Sequence, residues 1–421
     1  ASFDGREPAV LVVGAGQAGL SVAARLTVLG IDTLVVDGEA CVGDNWRKRY
    51  HSLVLHNQVH VNHLPYMPFP PNWPSYLPKD KVANWFEAYA EAMELNVWTG
   101  TEFVSGEWDE SARNWSATVI RDDGTKRVLR PRHIVMATGV SGVPKYPDIS
   151  GLADFAGDVV HSGAWSDGSA WTGKRALVIG SGTSGHDVAQ DLYECGARVT
   201  MVQRSSTMVV NVEPSAQLPY ALYDEGPDLT DCDLLAISLP LQPLREAHRL
   251  LTAQARALDQ GLLDALERVG FRLDFGRDGT GWQFKYLERG GGYYFNVGCS
   301  ELIASKAIAL MPFADIDRFV DTGVMLGDGT QVCFDLVVLA TGFEGQAVLV
   351  DKLFGADVAE RVGPIWGFDE ARQELNAMWS RTGQEGLWFL AGSFAQCRIF
   401  SKILALQVCA CEAGILPSRP A

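Results

Sequence analysis

The stretch from Ala137 to His186 decides the fold that this chain can adopt. It opens on Ala137-Thr-Gly139 and closes on the glycine pattern Gly180-Ser-Gly-Thr-Ser-Gly185. A G-x-G-x-x-G pattern alone is a weak signal, but here the apolar run 176–179 precedes it and residues 186–192 follow with helical spacing. In that setting the glycines predict a dinucleotide-binding turn, in which backbone N–H groups meet a pyrophosphate at a helix N-terminus.

A unit of the same kind comes first in the chain, at the N-terminus. The apolar run 9–13 leads into Gly14-Ala-Gly-Gln-Ala-Gly19, residues 20–29 have helical spacing, and the strand 31–36 ends in Asp37. This carboxylate, 18 residues past the last glycine, can accept hydrogen bonds from a ribose 2′-OH and would repel a 2′-phosphate. The first site is therefore predicted to hold FAD or NAD.

The strand of the second unit ends differently. Residues 197–203 lead into Arg204-Ser205-Ser206, with no acid at the tip. An arginine with two hydroxyls can clamp a 2′-phosphate where a carboxylate would repel it. The second nucleotide is predicted to be NADPH; the alternative is that Arg204 merely faces solvent.

The predicted fold class is α/β, with two Rossmann-like dinucleotide-binding domains. The strand 334–339 leads to a second Ala340-Thr341-Gly342, and two such crossovers are expected when the NADPH domain is inserted into the FAD domain. We place the first part of the FAD domain at 1–145, the NADPH domain at 146–315 and the second part of the FAD domain at 316–421.

Composition excludes several function classes. Of 421 residues, 35 are basic and 51 acidic, a net charge of −16, which argues against nucleic-acid or membrane-surface binding. No apolar run reaches the roughly 18 residues of a membrane span, and residues 1–8 lack the apolar core of a secretion signal. The eight cysteines show no C-x-x-C spacing, so we expect no metal site and a cytoplasmic location. Oligomeric state stays open.

The segment between the two glycine signals carries a further pattern. Phe155, Gly157, His161 and Trp165 have the spacing F-x-G-x-x-x-H-x-x-x-W, which resembles the fingerprint of the class B flavin monooxygenases: flavin-containing, YUCCA-type and Baeyer–Villiger monooxygenases. The resemblance implies that His161 and Trp165 couple the two domains and that NADP+ stays bound to shield a C4a-(hydro)peroxyflavin. The alternative is an interdomain linker whose histidine only packs.

Residues 43–70 add to this resemblance. A glycine followed by Trp46, then R-Y-x-x-L-x-L-H and L-P-x-x-P-F-P, is similar to YUCCA-type and related bacterial enzymes, in which the segment surrounds the flavin ring. Mammalian-type members carry an asparagine where this chain places His56, and Asn57 stands one position later. Both residues are candidates for the polar group over the flavin, and with His161 and Trp165 they form the predicted catalytic set.

The candidates for cofactor and substrate contact follow from the glycine turns and from the resemblance. Val104 is expected at the adenine, and the glycine-rich stretch 290–298 is interpreted either as pocket wall or as a hairpin with packed tyrosines. The cofactor candidates are Gly14, Gly16, Gln17, Ala18, Gly19, Asp37, Gly38, Gly43, Asn45, Trp46, Val104, Ala137, Thr138, Gly139, Gly180, Ser181, Gly182, Thr183, Ser184, Gly185, Arg204, Ser205, Ser206, Ala340, Thr341 and Gly342. The substrate-pocket candidates are Tyr293, Tyr294, Asn296 and Phe394.

Periodicity predicts three further helices. Residues 79–93 and 244–270 carry apolar side chains at spacings of three and four, and the latter presents Leu250, Leu251, Ala255, Leu258, Leu262, Leu263 and Leu266 for packing. The third is expected to begin at Ser401 and to direct its positive end toward the flavin.

Two nucleotide sites of different charge preference imply a relay from NADPH through FAD to an acceptor. A disulfide acceptor would need a cysteine pair, which the spacing does not provide, whereas O2 needs none. We expect an NADPH- and O2-dependent flavoprotein monooxygenase acting on a small molecule by N- or S-oxygenation or by oxidative decarboxylation of a 2-oxo acid. The alternatives are a Baeyer–Villiger monooxygenase and an NAD(P)H oxidase or redox flavoprotein without an organic substrate.

Overall fold

The computed structural model describes residue 3, residues 5–224 and residues 226–416. The strands are β1 (Val10–Val13), β2 (Thr33–Val36), β3 (Val97–Trp98), β4 (Thr101–Asp109), β5 (Asn114–Arg121), β6 (Lys126–Leu129), β7 (His133–Met136), β8 (Val143–Pro144), β9 (Asp158–His161), β10 (Arg175–Ile179), β11 (Arg198–Gln203), β12 (Met208–Asn211), β13 (Tyr293–Asn296), β14 (Ala309–Pro312), β15 (Ile316–Val320), β16 (Gly323–Leu326), β17 (Gln331–Cys333), β18 (Leu336–Leu339), β19 (Phe343–Glu344), β20 (Phe368–Asp369), β21 (Glu374–Leu375) and β22 (Leu387–Phe389). The helices are α1 (Gln17–Val28), α2 (Asp44–Arg47), α3 (Lys79–Ala92), α4 (Thr183–Glu194), α5 (Leu229–Ala236), α6 (Leu241–Arg268), α7 (Gly281–Arg289), α8 (Cys299–Ala304), α9 (Gln346–Phe354), α10 (Ala356–Val362) and α11 (Phe394–Glu412).

The first domain is built on a parallel sheet of order β22-β7-β1-β2-β3. Its central strands β1, β2 and β7 are buried along their whole length, as expected for parallel strands covered on both faces. Helix α1 makes the crossover from β1 to β2, so the N-terminal unit predicted from the sequence is present. The antiparallel sheet β4-β5-β6 leaves and re-enters this domain between β3 and β7.

The second domain has its own parallel sheet, of order β14-β11-β10-β18-β9. Strand β18 pairs with β10 inside this sheet, and the antiparallel strands β15-β16-β17 lie between β14 and β18 in sequence. The chain therefore leaves the second domain after Leu339, and the predicted boundary at residues 315 and 316 is wrong. The predicted boundary places the antiparallel strands β15–β17 in the first domain. In the structure they form an excursion between two strands of the second domain, β14 and β18.

Two chain crossings join the domains side by side. Strands β8 and β19 pair antiparallel, with Phe343 opposite Pro144. The Lys145 N–H donates to the Gly342 carbonyl at 3.0 Å, and the Thr341 hydroxyl donates to the Lys145 carbonyl at 2.6 Å. The outgoing and returning crossovers thus form one paired hinge.

Residues 207–304 form a layer on the second domain that we call the insert. Strands β12 and β13 pair parallel, so the glycine-rich stretch leads into a strand rather than forming the hairpin considered above. The long helix α6 confirms the predicted amphipathic segment, but Leu250 and Leu258 are exposed, at 73% and 52%. Ala255, Leu263 and Leu266 are buried; the buried stripe is thus narrower than the sequence predicts.

Helix α11 begins at Phe394, seven residues earlier than predicted. Ser393 caps it: the Ser393 side chain accepts from the Gln396 N–H, and the Gln396 side chain accepts from the Ser393 N–H. Among the helices of the described residues, α11 has the length and apolar composition of a membrane span. Half of the apolar segment of α11 is buried in the protein, in the same apolar core as α1. The apolar composition of α11 is therefore explained by its packing inside the protein.

Candidate functional site

The first glycine turn is closely packed against the first crossover. Gly14 has a φ of +107°, and a Cβ there would lie 2.6 Å from the Ala137 carbonyl oxygen; at Gly19 a Cβ would lie 1.8 Å from the Gly14 oxygen. Only glycine permits both approaches. Helix α1 has no side-chain cap at Gly16, so its first-turn N–H groups are directed at whatever occupies the turn, which suits the pyrophosphate of a dinucleotide.

Asp37 lies where the sequence places it, at the end of β2. Its carboxylate accepts from the Ala15 N–H at 2.5 Å and from the Glu39 N–H at 2.8 Å. These bonds hold the acid beside the glycine turn. A carboxylate in this position has lone pairs available for a ribose diol.

Side chains from three separate segments meet at the start of α1. The Asn45 amide nitrogen lies 3.0 Å from the position of a Cβ on Gly16. Gln17 accepts from Trp46 Nε1 at 3.4 Å and donates to the Gly392 carbonyl at 3.2 Å, and the rings of Trp46 and Phe394 are 5.7 Å apart. Four predicted residues, Gln17, Asn45, Trp46 and Phe394, therefore line one region between the glycine turn and the N-terminus of α11.

Other predicted residues of the first site occupy its edges. The Gln346 amide donates to the Thr138 hydroxyl at 3.1 Å, which fixes the crossover that includes Gly139. A Cβ on Gly43 would lie 2.4 Å from the Ala83 carbonyl oxygen, so this glycine serves the packing of α2 on α3. Val104 is 36% exposed on β4, and Gly38 follows Asp37 directly.

The second glycine turn repeats the first. Gly180 has a φ of +125°, and a Cβ there would lie 2.2 Å from the Ala340 carbonyl oxygen; at Gly185 it would lie 2.1 Å from the Gly180 oxygen. Helix α4 also lacks a side-chain cap, at Gly182. Ser181 shares a 2.8 Å hydrogen bond with Thr207, and Thr183 donates to the Tyr293 carbonyl at 3.0 Å. The turn is thus fixed on both sides and open at the helix end, as a second dinucleotide site requires.

The tip of β11 carries two arginines, not one. Arg204 is exposed there beside Ser205 and Ser206, and Arg272 donates through Nη2 to the Arg204 carbonyl at 2.6 Å. Asp274 lies next to them, but Lys285 forms an ion pair with its carboxylate. The tip is therefore cationic, as a 2′-phosphate requires. Sequence reasoning missed Arg272 because 68 residues separate it from Arg204 and only the fold brings them together.

His161 lies beneath the hinge. It is 3% exposed, its Nδ1 accepts from the Gly163 N–H at 3.0 Å, and its Nε2 lies 3.1 Å from the Gly342 carbonyl. Nε2 is therefore the protonated nitrogen, and burial lowers the pKa of the ring. His161 therefore donates a hydrogen bond to the returning crossover at Gly342, and its ring also contacts Phe343.

Trp165 ties the segment before β10 to helix α4. Its Nε1 donates to Asp191 Oδ2 at 2.9 Å, and burial raises the pKa of that carboxyl. Tyr50 and Leu53, from the first domain, belong to the same apolar cluster as Trp165. The His51 N–H donates to the Ser166 carbonyl at 3.1 Å. Trp165 therefore lies within the contact between the domains and makes a structural hydrogen bond.

A second contact between the domains involves residues that sequence reasoning did not select. The Tyr50 hydroxyl donates to Asp187 on α4. Burial raises the pKa of Asp187, while the charges of His56 and Arg49 act in the opposite direction. Burial also lowers the pKa of His56. The predicted catalytic residue His56 thus shares its surroundings with a carboxylate of the second domain.

Asn57 contacts the insert. The side chains of Asn57 and Gln283 lie near the Tyr220 hydroxyl, and the Ser393 backbone lies near the Tyr286 hydroxyl. The insert therefore meets the first domain at two places where the sequence predicts the flavin. Tyr220, Gln283 and Tyr286 were missed because no motif surrounds them.

The pocket candidates on β13 divide by strand alternation. Tyr293 stays partly exposed and faces Trp282 and Phe295. Tyr294 is fully buried and stacks on His186 with ring centroids 3.9 Å apart, and Asn296 is 4% exposed and bonded to Asn211 and Glu301. Tyr294 and Asn296 thus have core surroundings, unlike the pocket lining that the sequence predicts. Within the described residues, no group of three or more His, Cys, Asp or Glu side chains could hold a metal ion.

Comparisons with known proteins agree with this architecture. Residues 11–222 match the pyridine nucleotide-disulphide oxidoreductase family. The indole-3-pyruvate monooxygenase YUCCA1 of Oryza sativa subsp. japonica is 31% identical over 80% of this chain and 77% of its own length. YUCCA4 of the same plant, also an indole-3-pyruvate monooxygenase, is 30% identical over 92% of this chain and 87% of its own length.

Solved structures share the fold over nearly the whole chain. A flavin-containing monooxygenase from Stenotrophomonas maltophilia superposes with a TM-score of 0.65 at 19% identity, covering 96% of this chain and 98% of the other. A steroid monooxygenase bound to NADP superposes with a TM-score of 0.66 at 21% identity, covering 96% and 85%. At these identities the likeness concerns the fold.

Proposed function

The chain belongs to the pyridine nucleotide-disulphide oxidoreductase family and, within it, to the flavin-dependent monooxygenases, and we propose that it uses FAD, NADPH and O2 to oxygenate a small organic molecule. FAD would occupy the first glycine turn and NADPH the second. The reaction would join one oxygen atom of O2 to the substrate and release the other as water. This proposal keeps N- and S-oxygenation, decarboxylation of a 2-oxo acid and ketone oxygenation within its range.

The contrast between the two strand tips carries the proposal. Asp37 sits beside an uncapped helix N-terminus in the first domain, whereas Arg204 and Arg272 sit beside one in the second. A carboxylate suits an unphosphorylated ribose and a pair of guanidinium groups suits a 2′-phosphate. The two turns would therefore hold different dinucleotides, of which only the second carries the extra phosphate.

The chain's own residues would bind, orient and exclude water. The flavin, when bound, supplies the hydride acceptance and the reaction with O2. Gln17, Asn45 and Trp46 would fix its position at the start of α1, while the insert covers it through Tyr220 and Tyr286. His161 and the Tyr50–Asp187 hydrogen bond would hold the domains at a constant distance, so that the two cofactors stay in register.

The setting proposed for this activity is a reducing cytoplasm. All eight cysteines are free, which is in keeping with that setting. Burial raises the pKa of Cys397, the cysteine closest in sequence to the N-terminus of α11, so this thiol stays protonated and is not suited to act as a redox partner of the flavin.

The test is to reconstitute the purified chain with FAD and to supply NADPH, isotopically labelled O2 and a panel of amines, thioethers, ketones and 2-oxo acids. We expect NADPH oxidation and a product that carries one labelled oxygen atom. Release of peroxide equal to the NADPH consumed, with every compound of the panel, would contradict the proposal and favour an NAD(P)H oxidase. A lactone or ester from a ketone would identify the Baeyer–Villiger variant of the same activity.

A further inference from the structure

Gln203, the last residue of β11, holds Arg272 in place from inside the protein. Gln203 is 2% exposed, and its side-chain amide pairs with the backbone of Arg272 in both directions. Gln203 Nε2 donates to the Arg272 carbonyl at 3.0 Å, and the Arg272 N–H donates to Gln203 Oε1 at 2.8 Å. The buried amide therefore fixes the backbone of residue 272 against the end of β11.

The chain after Arg272 is joined to the same region of the second domain. The Thr207 N–H donates to the Arg272 carbonyl at 3.1 Å, and the Asp274 N–H donates to the Thr207 carbonyl at 3.3 Å. Thr207 and Leu273 form a parallel bridge. The Arg272 carbonyl thus has two donors, whereas its N–H is held by the Gln203 side chain. Loss of the Gln203 amide would release the N–H and leave the bridge at Thr207 intact.

The guanidinium of Arg272 turns back over the end of β11. Its Nη2 donates to the Gln203 carbonyl at 3.2 Å and to the Arg204 carbonyl at 2.6 Å. A guanidinium has more N–H donors than these two bonds use, and within the described part of the chain those on Nε and Nη1 have no acceptor. The Arg272 residue is exposed. The group is therefore fixed at one edge and open at the other, as two-point recognition of a phosphate requires.

The carboxylate closest to Arg272 in sequence, that of Asp274, is occupied by other partners. Lys285 forms an ion pair with it, and the Gly276 N–H donates to it at 3.0 Å. Among the described residues, no carboxylate forms an ion pair with Arg272. A phosphate at the tip of β11 would therefore meet a guanidinium whose charge no protein anion neutralises.

A guanidinium that is already fixed binds a phosphate more tightly than a mobile one. A mobile arginine side chain loses rotamer freedom when a ligand immobilises it, and this loss reduces the affinity. In this chain the folding of the insert has already restricted Arg272, through the amide of Gln203 and the two carbonyls at the end of β11. The arginine is thus preorganised before a nucleotide arrives.

We propose that Gln203 is a positioning residue for nucleotide specificity: it acts through Arg272, sets much of the preference for a 2′-phosphorylated dinucleotide, and touches neither the nucleotide nor the flavin. The inference rests on the proposed function. It adds to the two exposed arginines a determinant that lies beneath the binding surface.

The variant Gln203→Met tests the proposal, because methionine fills a similar volume and lacks both groups of the amide. Affinities of the FAD-loaded protein for NADP+ and for NAD+ are measured by isothermal titration calorimetry, without turnover. We expect the affinity for NADP+ to fall about tenfold and the affinity for NAD+ to stay within about twofold of the parent's. An unchanged ratio of the two affinities, whether or not both fall, would overturn the proposal.

Gln384→Met is the matched control. Gln384 is also a buried glutamine, 3% exposed, whose amide accepts from Arg361 Nε at 2.7 Å and donates to the Glu385 carbonyl at 3.1 Å. It precedes β22 and so lies at the edge of the first sheet away from the glycine turns. We expect a lower melting temperature and an unchanged ratio of NADP+ to NAD+ affinity. A changed ratio would mean that the ratio reports general loosening of the fold, and the proposal would fail.

A double-mutant comparison identifies the residue through which Gln203 acts. Combined with Arg272→Ala, Gln203→Met should reduce the NADP+ preference by less than about a further twofold, because the side chain that it positions is already absent. Combined with Arg204→Ala, it should still reduce the preference about tenfold. Equal reductions in the two combinations would show that Gln203 does not act through Arg272.

Arg272→Lys provides a test that does not depend on the folding of Gln203→Met. Lysine keeps the positive charge but lacks the planar group that reaches both carbonyls. We expect this variant to lose about fivefold or more of the NADP+ preference. If it keeps the parent's preference, the charge alone is sufficient, no positioning is needed and the proposal is wrong.

The inference and the proposed function fail in different ways. Equal affinity of the parent protein for NADP+ and NAD+ would contradict the proposed function and, with it, the inference. A parent that prefers NADP+, together with a Gln203→Met variant that keeps this preference, would contradict the inference alone.

Discussion

The Tyr50 hydroxyl donates a hydrogen bond to the carboxylate of Asp187 across the boundary between the two domains. Tyr50 follows the segment that packs on the first glycine turn, and Asp187 lies on the helix that begins at the second. A single side-chain contact thus links the surroundings of both dinucleotide sites.

Tyr50→Phe and Asp187→Asn should have opposite consequences. The phenylalanine leaves a buried carboxylate without its donor, which costs about 1–3 kcal/mol of unfolding free energy. Burial disfavours the charged form of Asp187, as its raised pKa indicates. The asparagine removes this charge and can still accept a hydrogen bond from Tyr50, so the stability of the Asp187→Asn variant should match or exceed that of the parent protein. Thermal unfolding of both variants in one buffer checks this, and an equal loss in both would show that the charge itself stabilises the boundary.

Removal of either arginine at the tip of β11 should erode the preference for NADPH. Each charge-assisted hydrogen bond to a 2′-phosphate is worth about 1.5–3 kcal/mol, so Arg204→Ala and Arg272→Ala should each raise the KM for NADPH about tenfold or more and leave the KM for NADH nearly unchanged. Arg277→Ala is the control, because Arg277 is an exposed arginine of the insert that pairs with Glu370. A parallel rise for both cofactors would mean that the arginines act on the fold instead.

The glycines of the second turn have separable roles. A Cβ on Gly182 would meet only the Tyr293 oxygen, at 4.0 Å, whereas one on Gly180 would lie 2.2 Å from the Ala340 oxygen at a φ of +125°. Gly182→Ala should therefore keep the parent's melting temperature and lose NADP+ affinity, since the added methyl occupies the approach to the pyrophosphate. Gly180→Ala should unfold at a lower temperature, because positive φ alone costs an alanine about 1–2 kcal/mol. Unchanged NADP+ binding by Gly182→Ala would contradict a nucleotide in this turn.

Glu412 should make the first domain sensitive to acid. Its carboxylate accepts from Arg132 and lies 3.1 Å from His133 Nε2. Although burial acts against ionisation, these bonds lower its pKa from 4.5 to about 2. A lowered pKa gives stability that is present above about pH 4.5 and is lost as the pH falls toward 2.

Glu412→Gln removes this dependence and keeps the shape of the side chain. Because the group is only partly buried, we expect a difference of about 1–2 kcal/mol at neutral pH. Urea unfolding of parent and variant at a series of pH values should show their curves converging as the pH drops. Curves that stay parallel would show that Glu412 does not titrate as described.

The periodic and glycine-marked parts of the fold could be predicted from the sequence. Buried parallel strands, such as β1 and β10, are short apolar runs followed by fixed glycine spacings, and both the pattern and the structure follow from the same packing of turn against crossover. The repeated Ala-Thr-Gly predicted that the chain crosses twice between the domains, and the hinge at Lys145 and Gly342 lies at these two crossovers.

The parts that depend on distant pairing could not be predicted. Strands β15–β17 look the same in sequence whichever domain they join, so the second boundary was misplaced. Arg272, Asp187 and Tyr286 carry no motif, and their roles arise only when segments far apart in the chain meet. The start of α11 was missed because its first two turns contain Arg398 and two phenylalanines instead of a clear apolar stripe.

The most direct test of the account is the anaerobic reduction of the FAD-loaded protein, followed by the bleaching of the flavin absorbance, with NADPH and NADH in turn. We expect NADPH at low concentration to reduce the flavin at least about tenfold faster than NADH, and we expect Arg204→Ala combined with Arg272→Ala to remove the difference. A chain that does not retain flavin, or one that both nucleotides reduce at equal rates, would contradict the assignment of two different dinucleotides to the two turns.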